Sequence, residues 1–178
     1  ANMETYRLRE SGLSFIYNGI KGGYPFLEGM GSIFSYIDDY LMVDMGSNDG
    51  TADVLDALTR NPKIRVITVK RPASPESLAD AHALHVSCSG DVIIHHEGDE
   101  VFSTALIAEV MRRIVQEGID QQLVWRLQVE QNFSRCRWYP TLCHRVFRKG
   151  TVTKRGHSTV EHLTEDPAMA EEFILDPG

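Results

Sequence analysis

The stretch YLMVDMGSNDGTADVLDALTR, residues 40–60, decides the fold class. It opens with an apolar run from Tyr40 to Val43, which is typical of a buried strand. A turn rich in Gly, Ser, Asn and Asp follows, and residues 52–60 then carry apolar side chains at helical spacing. A strand, a turn and a helix in this order form the repeating unit of α/β proteins.

The same alternation extends over the first hundred residues. Further strands are predicted at residues 13–17, 65–69 and 91–94, and further helices at residues 24–36 and 75–87. Helical crossovers between strands of one sheet make those strands parallel. We therefore expect a Rossmann-like half, a mostly parallel sheet flanked by helices, that binds ligands at the carboxyl ends of its strands.

The pattern changes in the second half of the chain. One amphipathic helix is predicted at residues 103–117, and strands at 123–129 and 143–147 follow without a helix between them. This arrangement predicts a mixed or antiparallel C-terminal part. The length of 178 residues fits a single domain, with a ligand-binding half at residues 1–102 and a second half at 103–178.

Composition excludes several classes of protein. The chain has 18 Lys and Arg against 25 Asp and Glu, and this net charge of -7 argues against a general nucleic-acid binder. No apolar run is long enough to span a membrane, and the first residues lack the layout of a signal peptide. We therefore expect a soluble, cytoplasmic protein.

The cysteines predict no disulfide framework. Cys88, Cys136 and Cys143 are sparse and odd in number, which fits reduced thiols in a cytoplasm. A zinc site formed by Cys136, Cys143 and His144 is the alternative. The chain lacks a close Cys-x-x-Cys pair here, which favours free thiols over zinc.

Charge is unevenly distributed along the chain. Residues 126–155 contain eight Lys and Arg and one acid, Glu130, so this segment is strongly basic within an acidic protein. Such a segment attracts anions and makes a phosphate-bearing ligand plausible. The alternative is that these side chains alternate along solvent-facing strand positions.

Two acidic motifs follow predicted strands. Asp44 ends the second strand, where its carboxylate could accept hydrogen bonds from a nucleobase or ribose, although the same turn residues also serve as helix caps. Glu97 and Asp99 follow the fourth strand, and strand alternation would place both on one face across Gly98. Bringing two such carboxylates together costs free energy unless a cation or a proton lies between them, and Mg²⁺ prefers oxygen ligands. The alternative is that they lie in solvent and cap the helix near Ser103.

Histidines and acids near these motifs are further candidates. His95 and His96 would lie on opposite faces of their strand, so a structural role is the simpler interpretation for each. In the C-terminal segment, His157 or His162 could complete a metal site, and Glu161, Glu165 or Asp166 could act as a base. A solvated loop is the alternative for this segment.

The motifs LSFIYN (13–18), VDMGSNDGT (43–51) and GDVIIHHEGDEV (90–101) resemble those of family 2 glycosyltransferases with the GT-A fold. The resemblance covers the first hundred residues. RWYP (137–140) and RVFR (145–148) are similar to a later strand, loop and strand of some of these enzymes. Met45 and Glu97 stand where the family often has Asp.

The resemblance implies transfer of a sugar from a nucleoside-diphosphate sugar to an acceptor hydroxyl, with inversion and with Mg²⁺ or Mn²⁺ as cofactor. It implies a metal site at Glu97 and Asp99, to which His162 could contribute, and a catalytic base at Glu161, with Asp166 and Glu130 left open. The residues expected to contact the nucleotide sugar are Asn18, Asp44, Ser47, Asp49, Glu97 and Arg145.

Two other functions stay open at this point. A nucleotidyltransferase is one, because the loop at residues 18–23 has glycines and a lysine. A non-enzymatic scaffold domain is the other, because Met45 and Glu97 depart from the family pattern. For the glycosyltransferase, we expect a saccharide, lipid or protein acceptor, as in polysaccharide biosynthesis. A homodimer is left open, and so is a truncated acceptor side within a larger chain.

Overall fold

The computed structural model describes residues 8–71, 83–118, 121–129, 136–149, 152–155 and 159–162. The strands are β1 (Glu10–Ile16), β2 (Asp39–Asp44), β3 (Ile64–Thr68), β4 (Val92–Glu97), β5 (Gln121–Val129), β6 (Cys136–Arg148), β7 (Val152–Arg155) and β8 (Thr159–His162). The α-helices are α1 (Gly19–Gly22), α2 (Phe26–Ile33), α3 (Thr51–Leu58) and α4 (Thr104–Gln116). Short 3₁₀ helices span Phe34–Tyr36 and Ala83–Ser87.

A six-stranded sheet in the order β3-β2-β1-β4-β6-β5 forms the centre of the protein. Strands β1 to β4 pair in parallel, whereas β6 is antiparallel to both β4 and β5. Strands β7 and β8 form a separate antiparallel pair. The predicted parallel half and the predicted mixed C-terminal part are both confirmed.

Strands β1, β2 and β4 are buried on both faces, which explains the apolar runs Tyr40–Val43 of β2 and Val92–Ile94 of β4. Side chains alternate between the faces, so Tyr40 and Met42 pack with α2 and α4 in one core. Leu41 and Val43 pack in a second core on the opposite face, which includes Phe147 of β6.

The helix predicted at residues 24–36 is shorter in the structure. It begins after Pro25 and continues beyond Ile33 only as a 3₁₀ turn, because Ile37 is already extended. The helices predicted at 52–60 and 103–117 are confirmed as α3 and α4 with shifted ends. Of the helix predicted at 75–87, residues 75–82 lie outside the described residues, and the rest forms a 3₁₀ helix.

Strand β6 is much longer than the segment 143–147 predicted from the sequence. Its register with β5 shifts between Trp125 and Arg126, whose partners Leu142 and Tyr139 lie on either side of Pro140. Proline has no N–H to donate to a strand ladder, and this hides a strand from sequence patterns. Strand β8 lies in the C-terminal segment for which a solvated loop was the alternative. Within the described segments, no helix has the length and apolar character needed to cross a membrane.

Candidate functional site

The carboxyl ends of the parallel strands bring the two acidic motifs to one edge of the sheet. In the strand register, Ile16 of β1 lies beside Asp44 of β2, and Phe15 lies beside Glu97 of β4. Thr68 of β3 lies on the other side of Asp44. Both motifs therefore lie at one edge of the sheet, with β1 between them.

Asp44 is almost completely buried, with 1% of its surface exposed. Its Oδ1 atom accepts a hydrogen bond of 2.9 Å from the Ser47 backbone N–H. Gly46, at a φ of 83°, lets the chain turn tightly between these two residues. The Ser47 hydroxyl in turn accepts a hydrogen bond of 2.9 Å from the Asn18 N–H. The carboxylate of Asp44 is therefore held by the loop that follows it.

The loops after β1 and β2 are joined by further hydrogen bonds. The side chain of Asn18, itself at a left-handed φ of 47°, accepts a bond of 2.8 Å from Asn48 N–H. Asp49 accepts bonds from Lys21 N–H at 2.7 Å and from the Thr51 hydroxyl at 2.6 Å. Desolvation opposes ionisation of Asp49, but the hydrogen bonds from Thr51 and Lys21 lower its pKa. These side chains build a rigid rim beside Asp44.

A pair of residues that the sequence analysis missed lies at the same edge. Arg71 follows β3 and donates a 2.9 Å hydrogen bond from Nη1 to the Tyr17 hydroxyl. Its guanidinium carbon lies 4.3 Å from the centre of the Tyr17 ring, a cation–π contact. Tyr17 follows β1 directly. Both follow parallel strands, β1 and β3, that lie on either side of β2, and this position is the sequence signal that could have found them.

Strand β4 ends at Glu97, and Gly98 and Asp99 form a turn. The Glu100 N–H donates to the Glu97 carbonyl at 3.1 Å, and the Gly98 N–H donates to the Phe15 carbonyl at 3.1 Å. The prediction that Glu97 and Asp99 share one face of a strand is therefore wrong, since alternation holds only in extended chain. Both carboxylates still lie within one short turn, and Asp99 is exposed.

The two histidines of β4 lie on opposite faces and are buried, as predicted. His95 packs edge-on against Phe15, and its Nε2 atom lies 3.4 Å from Glu97 Oε1. His96 contacts the Tyr40 hydroxyl through Nε2 and the Glu97 carbonyl through Nδ1 at 3.0 Å. Burial lowers the pKa of His96, so its ring is neutral near pH 7.

Arg145 of β6 forms a fork with Glu100 just after the turn. Its Nε and Nη2 atoms donate to the two carboxylate oxygens of Glu100 at 2.8 and 2.7 Å. Burial opposes ionisation of Glu100, but the charge and hydrogen bonds of Arg145 outweigh it and lower the pKa of Glu100. Arg145, expected to contact the nucleotide sugar, is thus engaged inside the fold.

The other predicted site residues lie in the C-terminal segment. Glu161 and His162 are paired in β8 with Thr153 and Val152 of β7. Asp166 lies outside the described residues. Among the side chains that the structure describes, no group of three or more His, Cys, Asp or Glu could hold a metal ion.

This arrangement still fits a Mg²⁺ or Mn²⁺ ion that is shared with a diphosphate. Mg²⁺ is usually bound by one or two carboxylates together with substrate phosphates and water, rather than by a complete protein cage. The carboxylates of Glu97 and Asp99 supply such a donor set within one turn at the carboxyl edge of the parallel strands.

No family model and no curated protein matches the sequence. Solved structures do match the fold. A mannosyltransferase from Pyrobaculum calidifontis, solved with GDP-Man and Mn²⁺, has a TM-score of 0.51 and 18% identity over 68% of this chain and 37% of its own. S. aureus TarS 1–349, solved with UDP-GlcNAc, has a TM-score of 0.53 and 17% identity over 75% and 37%. GalNAc-T7, solved with UDP, GalNAc and Mn²⁺, has a TM-score of 0.51 and 17% identity over 64% and 22%.

These similarities establish the fold class. The mostly parallel sheet with an antiparallel C-terminal part is the Rossmann-like GT-A fold of nucleotide-diphospho-sugar transferases. The chain spans less than two fifths of the length of each of these structures.

Proposed function

We propose that this chain is the donor-binding part of a glycosyltransferase that moves a sugar from a nucleoside-diphosphate sugar to an acceptor hydroxyl. The observation that carries the proposal is the shared edge at which Asp44 and the turn from Glu97 to Asp99 flank β1. An acid for the nucleoside and a separate acidic turn for a metal and diphosphate are the two parts that donor binding requires. The GT-A fold class supports the same function.

The nucleoside is proposed to bind at Asp44, beside Tyr17 and Arg71. A carboxylate accepts hydrogen bonds from a base or ribose, and the ring of Tyr17 provides a face for stacking. Asn18, Ser47 and Asp49 act by holding the surrounding loops, as their hydrogen bonds to backbone N–H groups indicate. Their contribution to donor binding is preorganisation of the site.

The diphosphate is proposed to bind next to Glu97 and Asp99. These carboxylates would hold a Mg²⁺ or Mn²⁺ ion, with His162 as a further candidate ligand. When bound, such an ion neutralises the charge that develops on the departing diphosphate. Glu97 also contacts His95, which limits the orientations of its side chain.

In the proposed reaction, the acceptor hydroxyl attacks the anomeric carbon and the nucleoside diphosphate leaves. A carboxylate takes the proton of the hydroxyl, and Glu161 or Asp166 is the proposed base. A single displacement inverts the anomeric centre and needs no enzyme nucleophile. The acceptor is proposed to be a saccharide, a lipid or a protein.

Binding of donor fragments provides the first test. The melting temperature and calorimetric affinity are measured with UDP, GDP and CDP, each with and without Mn²⁺, because a ligand of the folded state raises the melting temperature. Asp44→Asn should lower the affinity for the preferred nucleotide about tenfold or more, since it replaces one carboxylate oxygen, an acceptor, with an amide group that donates. Asp56→Asn, in an exposed carboxylate of α3, is the matched control and should change nothing.

Product analysis tests the reaction itself. Incubation with the preferred nucleotide sugar and an acceptor should release nucleoside diphosphate. Release of pyrophosphate from a sugar phosphate and a nucleoside triphosphate would indicate a nucleotidyltransferase instead. If no nucleotide binds with or without Mn²⁺, the chain is better described as a scaffold domain.

A further inference from the structure

The turn from Glu97 to Glu100 is held by a side chain from the second half of the protein. Glu100 Oε2 accepts hydrogen bonds from the Glu97 backbone N–H at 3.0 Å and from Arg145 Nε at 2.8 Å. The same carboxylate therefore closes the turn and receives the arginine of β6. The side chains of Glu100 and Arg145 are only 13% and 8% exposed.

Two other elements restrain the same turn from different sides. The Phe15 carbonyl of β1 accepts the Gly98 N–H at 3.1 Å. On the α2 side, Gly29 lies so close to the Glu100 carbonyl that an added Cβ would be 2.4 Å from its oxygen. The Arg145 fork is the one of these three restraints that comes from the antiparallel half of the sheet.

The geometry of Arg145 argues against direct contact with a ligand phosphate. Its Nε and Nη2 atoms already donate to both carboxylate oxygens of Glu100. A buried, bidentate pair of this kind holds both side chains in one orientation. Removing Arg145 from Glu100 to reach a ligand would leave a buried carboxylate without its main compensating charge.

We propose that Arg145 and Glu100 are a positioning pair, which fixes the backbone of Glu97, Gly98 and Asp99 so that both acidic side chains meet one divalent cation. The cation in this inference rests on the proposed function, whereas the fixing of the turn by the pair does not. Arg145 acts through Glu100 and does not touch the donor.

The test uses Arg145→Lys, Glu100→Asp and the double variant in the full chain. Lysine keeps the charge but loses the fork, and aspartate is too short to hold both Arg145 and the Glu97 N–H. The matched control is Arg148→Lys, the same change on the same strand, because Arg148 donates to the Ile114 carbonyl and lies beside Val92, at the other end of β4 from the turn. Amide hydrogen exchange of Glu97 is measured by NMR, and Mn²⁺ affinity by electron paramagnetic resonance.

Each single variant should speed exchange of the Glu97 amide about tenfold or more, with core amides of β1 and β2 unchanged. Mn²⁺ affinity should fall severalfold in both, and the double variant should lose little more than either single variant, because the two residues act as one unit. Arg148→Lys should leave both measurements unchanged.

Two results would overturn the inference. Unchanged Glu97 exchange in Arg145→Lys would show that the fork does not hold the turn. If Arg145→Lys lowered the affinity for UDP or GDP, and its effect added to that of Glu100→Asp in the double variant, Arg145 would instead be a direct ligand contact. Failure of the unsubstituted chain to bind Mn²⁺ would overturn the proposed cation site, and Glu97 exchange would still decide whether the pair fixes the turn.

Discussion

Gly29 and Gly31 lie two residues apart in α2, and alanine at these two positions is expected to shift stability in opposite directions. Both replacements add the same methyl group to the same helix. At Gly31 nothing lies within 4 Å of an added Cβ, whereas at Gly29 the Cβ would lie 2.4 Å from the Glu100 carbonyl oxygen. Atoms of the His96 ring lie at 3.1 and 3.2 Å from the same Cβ.

The magnitudes follow from these distances. Alanine in place of glycine stabilises a helix by roughly 0.5–1 kcal/mol, and Gly31→Ala should show most of this gain. At Gly29 the contact is with backbone, so α2 or the turn must move by roughly half an ångström, and overpacking of this kind costs about 1–3 kcal/mol. We therefore expect Gly29→Ala to be less stable than Gly31→Ala by about 2 kcal/mol.

Urea unfolding followed by circular dichroism measures this difference in stability directly. Equal m-values in the two variants would show that both expose the same amount of surface on unfolding. In a thermal scan the same difference corresponds to about 4–8 °C for a chain of this size. Gly29→Ala should also weaken Mn²⁺ binding, since the displaced atom belongs to the acidic turn. If Gly29→Ala proved as stable as Gly31→Ala, the close packing of α2 against the turn would be refuted.

Three further measurements test other parts of the structure. Asn18→Ala should destabilise the protein by about 1–2 kcal/mol. Asn18→Gly should cost less, because glycine tolerates the left-handed φ of 47° and loses only the hydrogen bond to Asn48. Equal losses of stability in urea unfolding would contradict this account. Burial, assisted by the nearby charge of Asp39, raises the pKa of Cys88 to about 12. Alkylation of Cys88 at pH 8, followed by mass spectrometry, should therefore be at least tenfold slower in the native protein than in the urea-unfolded protein. Similar rates would mean that the thiol is accessible. Hydrogen bonds from Arg112 and Arg113 lower the pKa of Glu109 from 4.5 to about 2, so the stability that Glu109 contributes is present above pH 4.5 and is lost as the pH falls through about 2. An NMR titration midpoint near 4.5 would disprove these hydrogen bonds. Glu109→Gln should barely change the urea midpoint, because the pair is exposed.

The sequence could predict the shared edge of the two acidic motifs because parallel strands obey a simple rule. Once strand, turn and helix alternate, the residue after each strand must lie at the carboxyl edge, whatever the details of packing. Asp44 and Glu97 were located in this way. The same rule applies to Tyr17 and Arg71, whose pairing depends on a cation–π contact between loops that no local pattern encodes.

The local shape of the acidic turn could not be predicted in the same way. An alternating strand and a turn can both contain Glu97, Gly98 and Asp99, since glycine can adopt either backbone conformation. The choice is made by distant groups, namely the Phe15 carbonyl, the Glu100 carboxylate and the guanidinium of Arg145. The last contact joins residues 45 positions apart, which is beyond the reach of periodicity.

The basic segment shows why a count of charges does not identify a ligand contact. The excess of Lys and Arg in residues 126–155 suggested anion binding, and Arg145 was expected to contact the donor. In the structure Arg145 is paired with Glu100, Arg148 donates to the Ile114 carbonyl and Lys149 donates to the Cys88 carbonyl. Each of these side chains already satisfies a group of the fold, and a phosphate would have to compete with that partner. A basic residue is available to a ligand only to the extent that the fold has not used its donors, so the acidic turn is the stronger basis for assigning the donor site.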